Sequence, residues 1–130
     1  MTLRHLLADD DLSAAEQHEV LQRALALKAE PFSDQCLAGP HTVSILFDKP
    51  TLRTQDSFVG AVAHLGGYPM VIDGRLAGVG ERESVADVAR ILGPQSAAIV
   101  WRTFEQSRLE EMAAQAGVPV VNALTDDYHP

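Results

Sequence analysis

The stretch TVSILFDKPTLRT, residues 42–54, joins an apolar run to a polar loop and the start of a helix. Its β-branched and apolar half is bounded by Gly-Pro before it and Asp-Lys-Pro after it, which is typical of a short strand. The stretch therefore predicts a strand over residues 42–47 and a helix that begins near Arg53. Apolar residues recur at helical spacing until a Gly-Gly pair ends this helix: Phe58, Val62 and Leu65.

A first helix is predicted to precede this strand. Ser13 and Glu16 have the spacing of a capping box, in which the hydroxyl and the carboxylate each accept a backbone N–H at the helix start. The helix is expected to run to about Lys28 and to be stopped by Pro31. Its apolar side comprises Val20, Leu21, Ala24, Leu25 and Leu27.

Strands and helices continue to alternate toward the carboxyl terminus. Short apolar runs predict strands over residues 68–72, 97–101 and 118–121, and the Gly-rich segment 73–80 is predicted to be a loop. Such alternation is typical of βαβ units. We expect one α/β domain over residues 1–130, a three-layer fold with a four-stranded parallel sheet and helices on both faces. Apolar spacing marks the last two helices: Val85, Val88, Ala89 and Leu92, then Leu109, Met112, Ala113 and Ala116.

The composition narrows the function. A length of 130 residues suits one domain, and a net charge of -8 argues against nucleic acid as a partner, because phosphate backbones require clustered Lys and Arg. Cys36 is the only cysteine, which excludes an intramolecular disulfide and favours a reducing cytosol. The amino-terminal residues lack the apolar segment of a signal peptide, and no run reaches the roughly 18 apolar residues of a membrane span.

Polar clusters directly follow three of the four predicted strands. They are residues 48–54, the pair Arg102-Thr103, and residues 126–129, which include His129. Because ligands of open parallel sheets bind beyond the carboxyl ends of the strands, we expect these clusters to meet at one site.

The first cluster has the properties of an anion site. A loop that runs into a helix presents unpaired N–H groups and the positive end of the helix dipole. Thr51 and Thr54 add hydroxyl donors, and Arg53 adds a planar guanidinium that can hold a phosphate or a carbonyl at two points. Arg102 would supply a second guanidinium from the neighbouring strand.

Each of these residues also has a plainer interpretation. The threonines and Arg53 alone would suit an ordinary helix start, Arg102 could pair with a carboxylate, and His129 could lie on the surface. Lys49 is expected to be a solvated loop lysine. Trp101 and Phe104 are expected to pack. Two arginines and a histidine at three successive strand ends favour the anion site over these separate interpretations.

Three motifs together resemble one enzyme family. FDKPTLRTQDSF is similar to the S-T-R-T-R signature of the aspartate and ornithine carbamoyltransferases, VWRTF to their second arginine motif, and NALTDDYHP to the start of their H-P-x-Q motif. The resemblance covers essentially the whole chain. The N-A-L-T-D-x-x-H-P form and the lysine of FDK favour the ornithine branch.

The resemblance implies a carbamoyl-phosphate-binding domain of a cytoplasmic, trimeric transferase of arginine biosynthesis, which needs no metal or cofactor. Thr51, Leu52, Arg53 and Thr54 would hold carbamoyl phosphate, Leu52 through its backbone N–H. Arg102 would bridge the phosphate and the carbonyl oxygen, and His129 would donate to the same carbonyl oxygen. Arg53, Arg102 and His129 would thus be catalytic.

The chain also departs from the family pattern. Thr51 replaces the first Ser of the signature, Leu52 its first Thr and Gln55 its second Arg, so a hydroxyl donor and a fixed charge are lost. Val59 replaces a carboxylate that could have paired with that Arg. Gly78 stands where the family has a Gln that reaches a neighbouring subunit's site. Each lost charge-assisted contact would weaken ligand binding by about 1.5–3 kcal/mol.

Three hypotheses follow. In the first, the chain is the substrate-binding domain of an ornithine carbamoyltransferase; since the sequence ends before the motif's Gln and the ornithine-binding half, this domain alone is expected not to make citrulline. In the second, suggested by the altered signature, it is a non-catalytic anion-binding or trimer-assembly module. The third, an unrelated flavodoxin-like or nucleotide-binding domain, lacks a G-x-G-x-x-G or P-loop motif.

Overall fold

The fold is a four-stranded sheet, seen in a computed structural model that describes residues 2–130. The strands are β1 (Thr42–Phe47), β2 (Tyr68–Asp73), β3 (Ala98–Arg102) and β4 (Val120–Leu124). All neighbours are parallel, and the order is β2-β1-β3-β4. Strand β2 therefore lies on one side of β1, and strands β3 and β4 lie on the other side. A crevice is expected at this switch point between β1 and β3, beyond the carboxyl ends of the strands.

The register brings the carboxyl ends of the strands level with one another. Phe47 at the end of β1 pairs with Asp73 on one side and Arg102 on the other, and Arg102 pairs with Leu124 of β4. The segments after β1, β3 and β4 therefore leave the sheet side by side. These are the segments that carry the predicted polar clusters.

Helices cover both faces of the sheet, which confirms the predicted three-layer α/β fold. They are α1 (Ala14–Ala29), α2 (Arg53–His64), α3 (Gly74–Ala77), α4 (Val85–Leu92) and α5 (Gln106–Ala116). Helices α4 and α5 pack on one face, where the buried core comprises Leu46, Val79, Val85, Val88, Ala89, Ile99, Trp101, Leu109, Met112, Ala113, Ala116 and Val120. Helix α2 packs on the other face, with buried Val43, Ile45, Phe47, Val62, Val100 and Ala123.

Helix α1 begins as predicted but packs differently from the other helices. The Ser13 Oγ accepts from the Glu16 N–H at 3.3 Å, and the Glu16 carboxylate accepts from the Ser13 N–H at 2.8 Å, so the capping box is confirmed. No residue of α1 is buried among the described residues. Its apolar side is largely exposed, including Val20, Leu21 and Leu25.

Two boundaries correct the predictions. Residues 73–80 were expected to be a loop, but they contain α3, because the Asp73 carboxylate accepts from the N–H groups of Arg75 and Leu76 at 3.0 Å each and so caps a single turn. The fourth strand extends beyond its predicted range, since Asn122 is a buried strand residue whose side-chain amide is hydrogen-bonded.

Candidate functional site

One cavity of about 660 Å³ at the carboxyl edge of the sheet brings the predicted site residues together. It lies beyond β1, β3 and β4, as the register requires. All six residues predicted to bind substrate line its wall, and Pro50 and Leu124 complete it. The six are Thr51, Leu52, Arg53, Thr54, Arg102 and His129.

The start of α2 forms one wall of this cavity. Arg53 is the first helical residue and Leu52 is the N-cap, whose side chain can accept no hydrogen bond. Among residues 2–130, no side chain caps the helix, so the N–H groups of its first turn have no side-chain acceptor there. Most helices in this chain differ, since Ser13, Asp73 and Ser84 cap α1, α3 and α4. The uncapped end of α2 is therefore open to an external anion.

Arg102 joins the start of α2 to the end of β3. Its Nη1 donates to the Thr54 Oγ1 at 3.2 Å, while its Nε is buried and has no partner among residues 2–130. Within that range, neither Arg53 nor Arg102 forms a salt bridge with a carboxylate. The plainer interpretation of Arg102 as a residue paired with a carboxylate is therefore wrong. Two guanidinium charges border the cavity without a compensating acid.

His129 reaches the cavity from the turn after β4. The Tyr128 carbonyl accepts from the Thr125 N–H at 2.9 Å, and the Thr125 Oγ1 donates to the Gln106 Oε1 at 2.6 Å. The Asn122 amide nitrogen donates to the Leu7 carbonyl at 2.8 Å, which holds the base of the same turn. Buried side chains thus hold the turn just before His129, although His129 itself is exposed. Its ring also borders a smaller cavity of about 280 Å³.

Lys49 is not the solvated lysine that the sequence suggested. Its Nζ lies 3.0 Å from the Asp126 Oδ1 and 4.9 Å from the centroid of the Phe104 ring, so it connects the segments after β1, β3 and β4. The prediction that Trp101 packs is confirmed, since it is fully buried. The same prediction is wrong for Phe104, which is 42% exposed and lies beneath Lys49 instead of in the core.

Sequence reasoning missed a buried cluster beside the cavity, made of Asp48, Trp101, Thr103 and Arg108, which we call the Asp48 cluster. The Asp48 Oδ2 accepts from the Trp101 Nε1 at 2.9 Å, the Thr103 Oγ1 at 2.6 Å and the Arg108 Nη2 at 3.5 Å. Asp48, directly after a buried strand, was a visible signal. Arg108 had none, because its position on α5 does not show which strand end it meets.

The described residues also limit other kinds of site. No helix within residues 2–130 combines the length and hydrophobicity needed to cross a bilayer. In the same range, no group of three or more His, Cys, Asp or Glu side chains is placed to hold a metal ion.

Comparison with known proteins assigns the family. Residues 4–130 match the model of the aspartate/ornithine carbamoyltransferase, carbamoyl-P binding domain. The chain belongs to this family. The membership covers nearly all of the sequence and all three motifs, which excludes an unrelated flavodoxin-like or nucleotide-binding domain.

Individual relatives agree with this assignment. The chain is 57% identical over 127 residues to an ornithine carbamoyltransferase of Clavibacter sepedonicus, with 98% of this chain and 41% of the relative aligned. It is 55% identical over 130 residues to one of Mycolicibacterium paratuberculosis, covering 100% and 42%. The crystal structure of an anabolic ornithine carbamoyltransferase from Campylobacter jejuni superposes with a TM-score of 0.92 at 30% identity, covering 98% and 41%. The chain thus spans about two-fifths of the length of these relatives.

Proposed function

We propose that the 660 Å³ cavity binds carbamoyl phosphate and that the whole protein transfers the carbamoyl group to the side-chain amine of ornithine. The observation that carries the proposal is the pairing of two arginines that form no salt bridge, Arg53 and Arg102, with the uncapped start of α2 in one cavity. The phosphate group of carbamoyl phosphate, an acyl phosphate, suits this combination, because guanidinium groups and helix N–H groups both donate to its oxygens. Family membership supports the same ligand.

The chemistry assigns a role to each group. The neutral amine attacks the carbamoyl carbon, a C–N bond forms, and the tetrahedral intermediate collapses as the C–O bond to phosphate breaks. The proton that the amine loses leaves with the departing phosphate. Negative charge develops first on the carbonyl oxygen, where Arg102 and His129 would donate, and then on the departing phosphate. Arg53, Thr51, Thr54 and the N–H groups at the start of α2 would hold that phosphate. Donors already in place need no rearrangement as the charge develops.

The altered signature fits this role with fewer side-chain contacts. Leu52 keeps its backbone N–H but offers no hydroxyl, and its side chain is 80% exposed. Gln55 lies in an adjoining cavity of about 370 Å³ that also contacts Thr51, so it stays close to the anion loop without carrying a charge. The ligand would therefore rely more on Arg53 and Arg102 than a full signature would require.

The amine acceptor and the assembly are further parts of the proposal. We infer from the ornithine carbamoyltransferases that match this chain that ornithine is the acceptor and that the remaining three-fifths of a full-length protein would contribute its site. A cytoplasmic homotrimer of arginine biosynthesis is the setting that the family resemblance supports. The uncovered apolar side of α1 is compatible with contacts beyond this domain.

Calorimetric titration with carbamoyl phosphate, with inorganic phosphate as the reference, tests the binding site. Arg53→Ala and Arg102→Ala are each expected to abolish measurable binding, since a charge-assisted contact contributes about 1.5–3 kcal/mol. Arg90→Ala is the matched control, because Arg90 pairs with Asp87 on α4 and lies outside the cavity. Unchanged affinity in either site variant would remove that arginine from the site. A folded chain that binds no carbamoyl phosphate would instead favour the assembly module.

A further inference from the structure

Asp48 does not line the carbamoyl-phosphate cavity, yet it directly precedes the loop that does. The residue is 4% exposed, and its carboxylate accepts from the indole of Trp101, the hydroxyl of Thr103 and the guanidinium of Arg108. A buried carboxylate is costly unless several donors satisfy it. The Asp48 cluster meets that requirement with donors from the end of β3 and from α5.

The cluster also fixes the backbone around the cavity. The Asp48 N–H donates to the carbonyl of Arg102 at 2.9 Å, which ties the start of the anion loop to the strand end that carries the site arginine. The guanidinium of Arg108 donates to the carbonyl of Val79 at 2.8 Å and lies 5.2 Å from the Trp101 ring. The segment after β2 is thereby held against the same point.

The close approach of Gly74 shows how little room the cluster leaves. A Cβ at this position would lie 1.9 Å from the Asp48 Oδ1 and 3.3 Å from the Phe47 carbonyl. The carboxylate is therefore confined on one side by the backbone of α3 and on the other by Trp101 and Thr103. It can turn away from Gly74 only by disturbing its hydrogen bonds to Trp101 and Thr103.

We propose that Asp48 is a positioning residue for the anion site, acting through Trp101, Thr103 and Arg108 to hold residues 49–54 and Arg102 in the geometry that binds carbamoyl phosphate. The inference rests on the proposed function. Displacement of a loop by about 1 Å can reduce a catalytic rate by roughly a hundredfold, so a group outside the cavity can still control what happens within it.

The direction in which one substitution changes the affinity for carbamoyl phosphate distinguishes positioning from simple electrostatics. A negative charge beside an anion site repels the ligand, so removal of that charge through electrostatics alone would tighten binding. Asp48→Asn removes the charge, so the amide oxygen that takes the place of Oδ2 accepts from Trp101, Thr103 and Arg108 without the charge assistance that strengthens these hydrogen bonds. Positioning therefore predicts weaker binding, and electrostatics alone predicts tighter binding.

The test is calorimetric titration of the unmodified chain and three variants with carbamoyl phosphate. Asp48→Asn is expected to weaken binding about tenfold, and Thr103→Val, which changes no charge, about threefold to tenfold. Ser44→Ala is the matched control, since its hydroxyl forms a buried 2.7 Å hydrogen bond with Ser96 toward the opposite edge of the sheet. It should lower stability by an amount similar to Thr103→Val and leave the affinity unchanged.

A spectroscopic measurement reports on the cluster itself. Trp101 is the chain's only tryptophan, so its fluorescence comes from within the Asp48 cluster. Carbamoyl phosphate should change this emission in the unmodified chain and in Ser44→Ala, and should change it less in Thr103→Val.

Two results would overturn the inference while leaving the proposed function intact: tighter or equal binding by Asp48→Asn, or equal affinities for Thr103→Val and Ser44→Ala. If Asp48→Asn fails to fold, Thr103→Val decides the matter alone. No binding by the unmodified chain would overturn both proposals together, which distinguishes that failure from the failure of positioning.

Discussion

The two ends of the parallel strands, here the amino edge and the carboxyl edge of the sheet, differ in the side-chain interactions that stabilise them. At the amino edge, packing dominates, and a buried hydrogen bond of 2.7 Å joins the hydroxyls of Ser44 and Ser96. At the carboxyl edge, buried carboxylate, amide and hydroxyl groups hold the segments after β1, β3 and β4: Asp48, Thr103, Gln106, Asn122 and Thr125. Apolar packing would have supported the fold more simply, because each buried polar group must be satisfied.

This difference shows at which edge the domain requires a defined orientation of its side chains in addition to stability. Hydrophobic contacts tolerate small shifts, whereas hydrogen bonds fix distances and angles. The Asp48 cluster and the turn at Thr125 each lie within a few residues, along the sequence, of a predicted ligand contact. Polar groups are thus buried next to the site that needs its donors held in place.

Gly93→Ala, toward the amino edge, should give the largest loss of stability. A Cβ there would lie 1.9 Å from the Ala116 carbonyl oxygen, a backbone atom that cannot turn aside, so α4 and α5 must separate. The free energy of unfolding, measured by urea denaturation, should fall by about 3 kcal/mol. Carbamoyl phosphate affinity should be unchanged in the folded fraction, and a large loss of affinity would erase the distinction between the two edges.

Gly74→Ala makes the equivalent change at the carboxyl edge. Its Cβ would meet the Asp48 Oδ1, also at 1.9 Å, but a side-chain carboxylate can rotate where a backbone cannot. The stability loss should therefore be smaller, about 1 kcal/mol. Because the rotation disturbs the hydrogen bonds to Trp101 and Thr103, carbamoyl phosphate should bind about fivefold more weakly. Stability loss without any change in affinity would uncouple the Asp48 cluster from the site.

The smallest effect is a pH dependence at the start of α1, away from both edges. The Arg4 guanidinium, followed by the N–H and hydroxyl of Ser13, lowers the pKa of Glu16 from 4.5 to about 2. Because the folded-state pKa is lowered, the stabilisation of the capping box is present above pH 4.5 and is lost as the pH falls toward 2.

NMR of the Ser13 amide should detect this loss, since that N–H donates to the Glu16 carboxylate. Glu16→Gln should abolish the titration, and Glu19→Gln, on the same helix, should leave it in place. A titration that survives in Glu16→Gln would assign it to another group.

Much of this arrangement could be predicted from the sequence, for physical reasons. Short apolar runs between Gly and Pro mark strands, and parallel strands bring their carboxyl ends together, so the meeting of residues 51–54 with Arg102 and His129 followed from the order of elements alone. The capping box at Ser13 is equally local, since both partners lie within one turn.

Other features could not be predicted from the sequence. They depend on contacts between residues far apart in the chain, on very short elements, or on what lies against a helix. Arg108 lies 60 residues from Asp48, and nothing in α5 shows which strand end it meets. The α3 turn is too short for any periodic signal, and only the Asp73 cap defines it. For α1, an apolar side predicts burial, but periodicity does not reveal what covers that side.

Carbamoyl phosphate is proposed to bind at the carboxyl edge, between the start of α2 and the end of β3. Amide chemical shifts recorded by NMR while carbamoyl phosphate is added locate the ligand most directly, with inorganic phosphate as the reference. The largest changes are predicted at residues 51–55, 102 and 129, with little change at Ser44 and Ser96. Changes centred on the amino edge or on α1, or changes identical to those from phosphate, would contradict the proposed site.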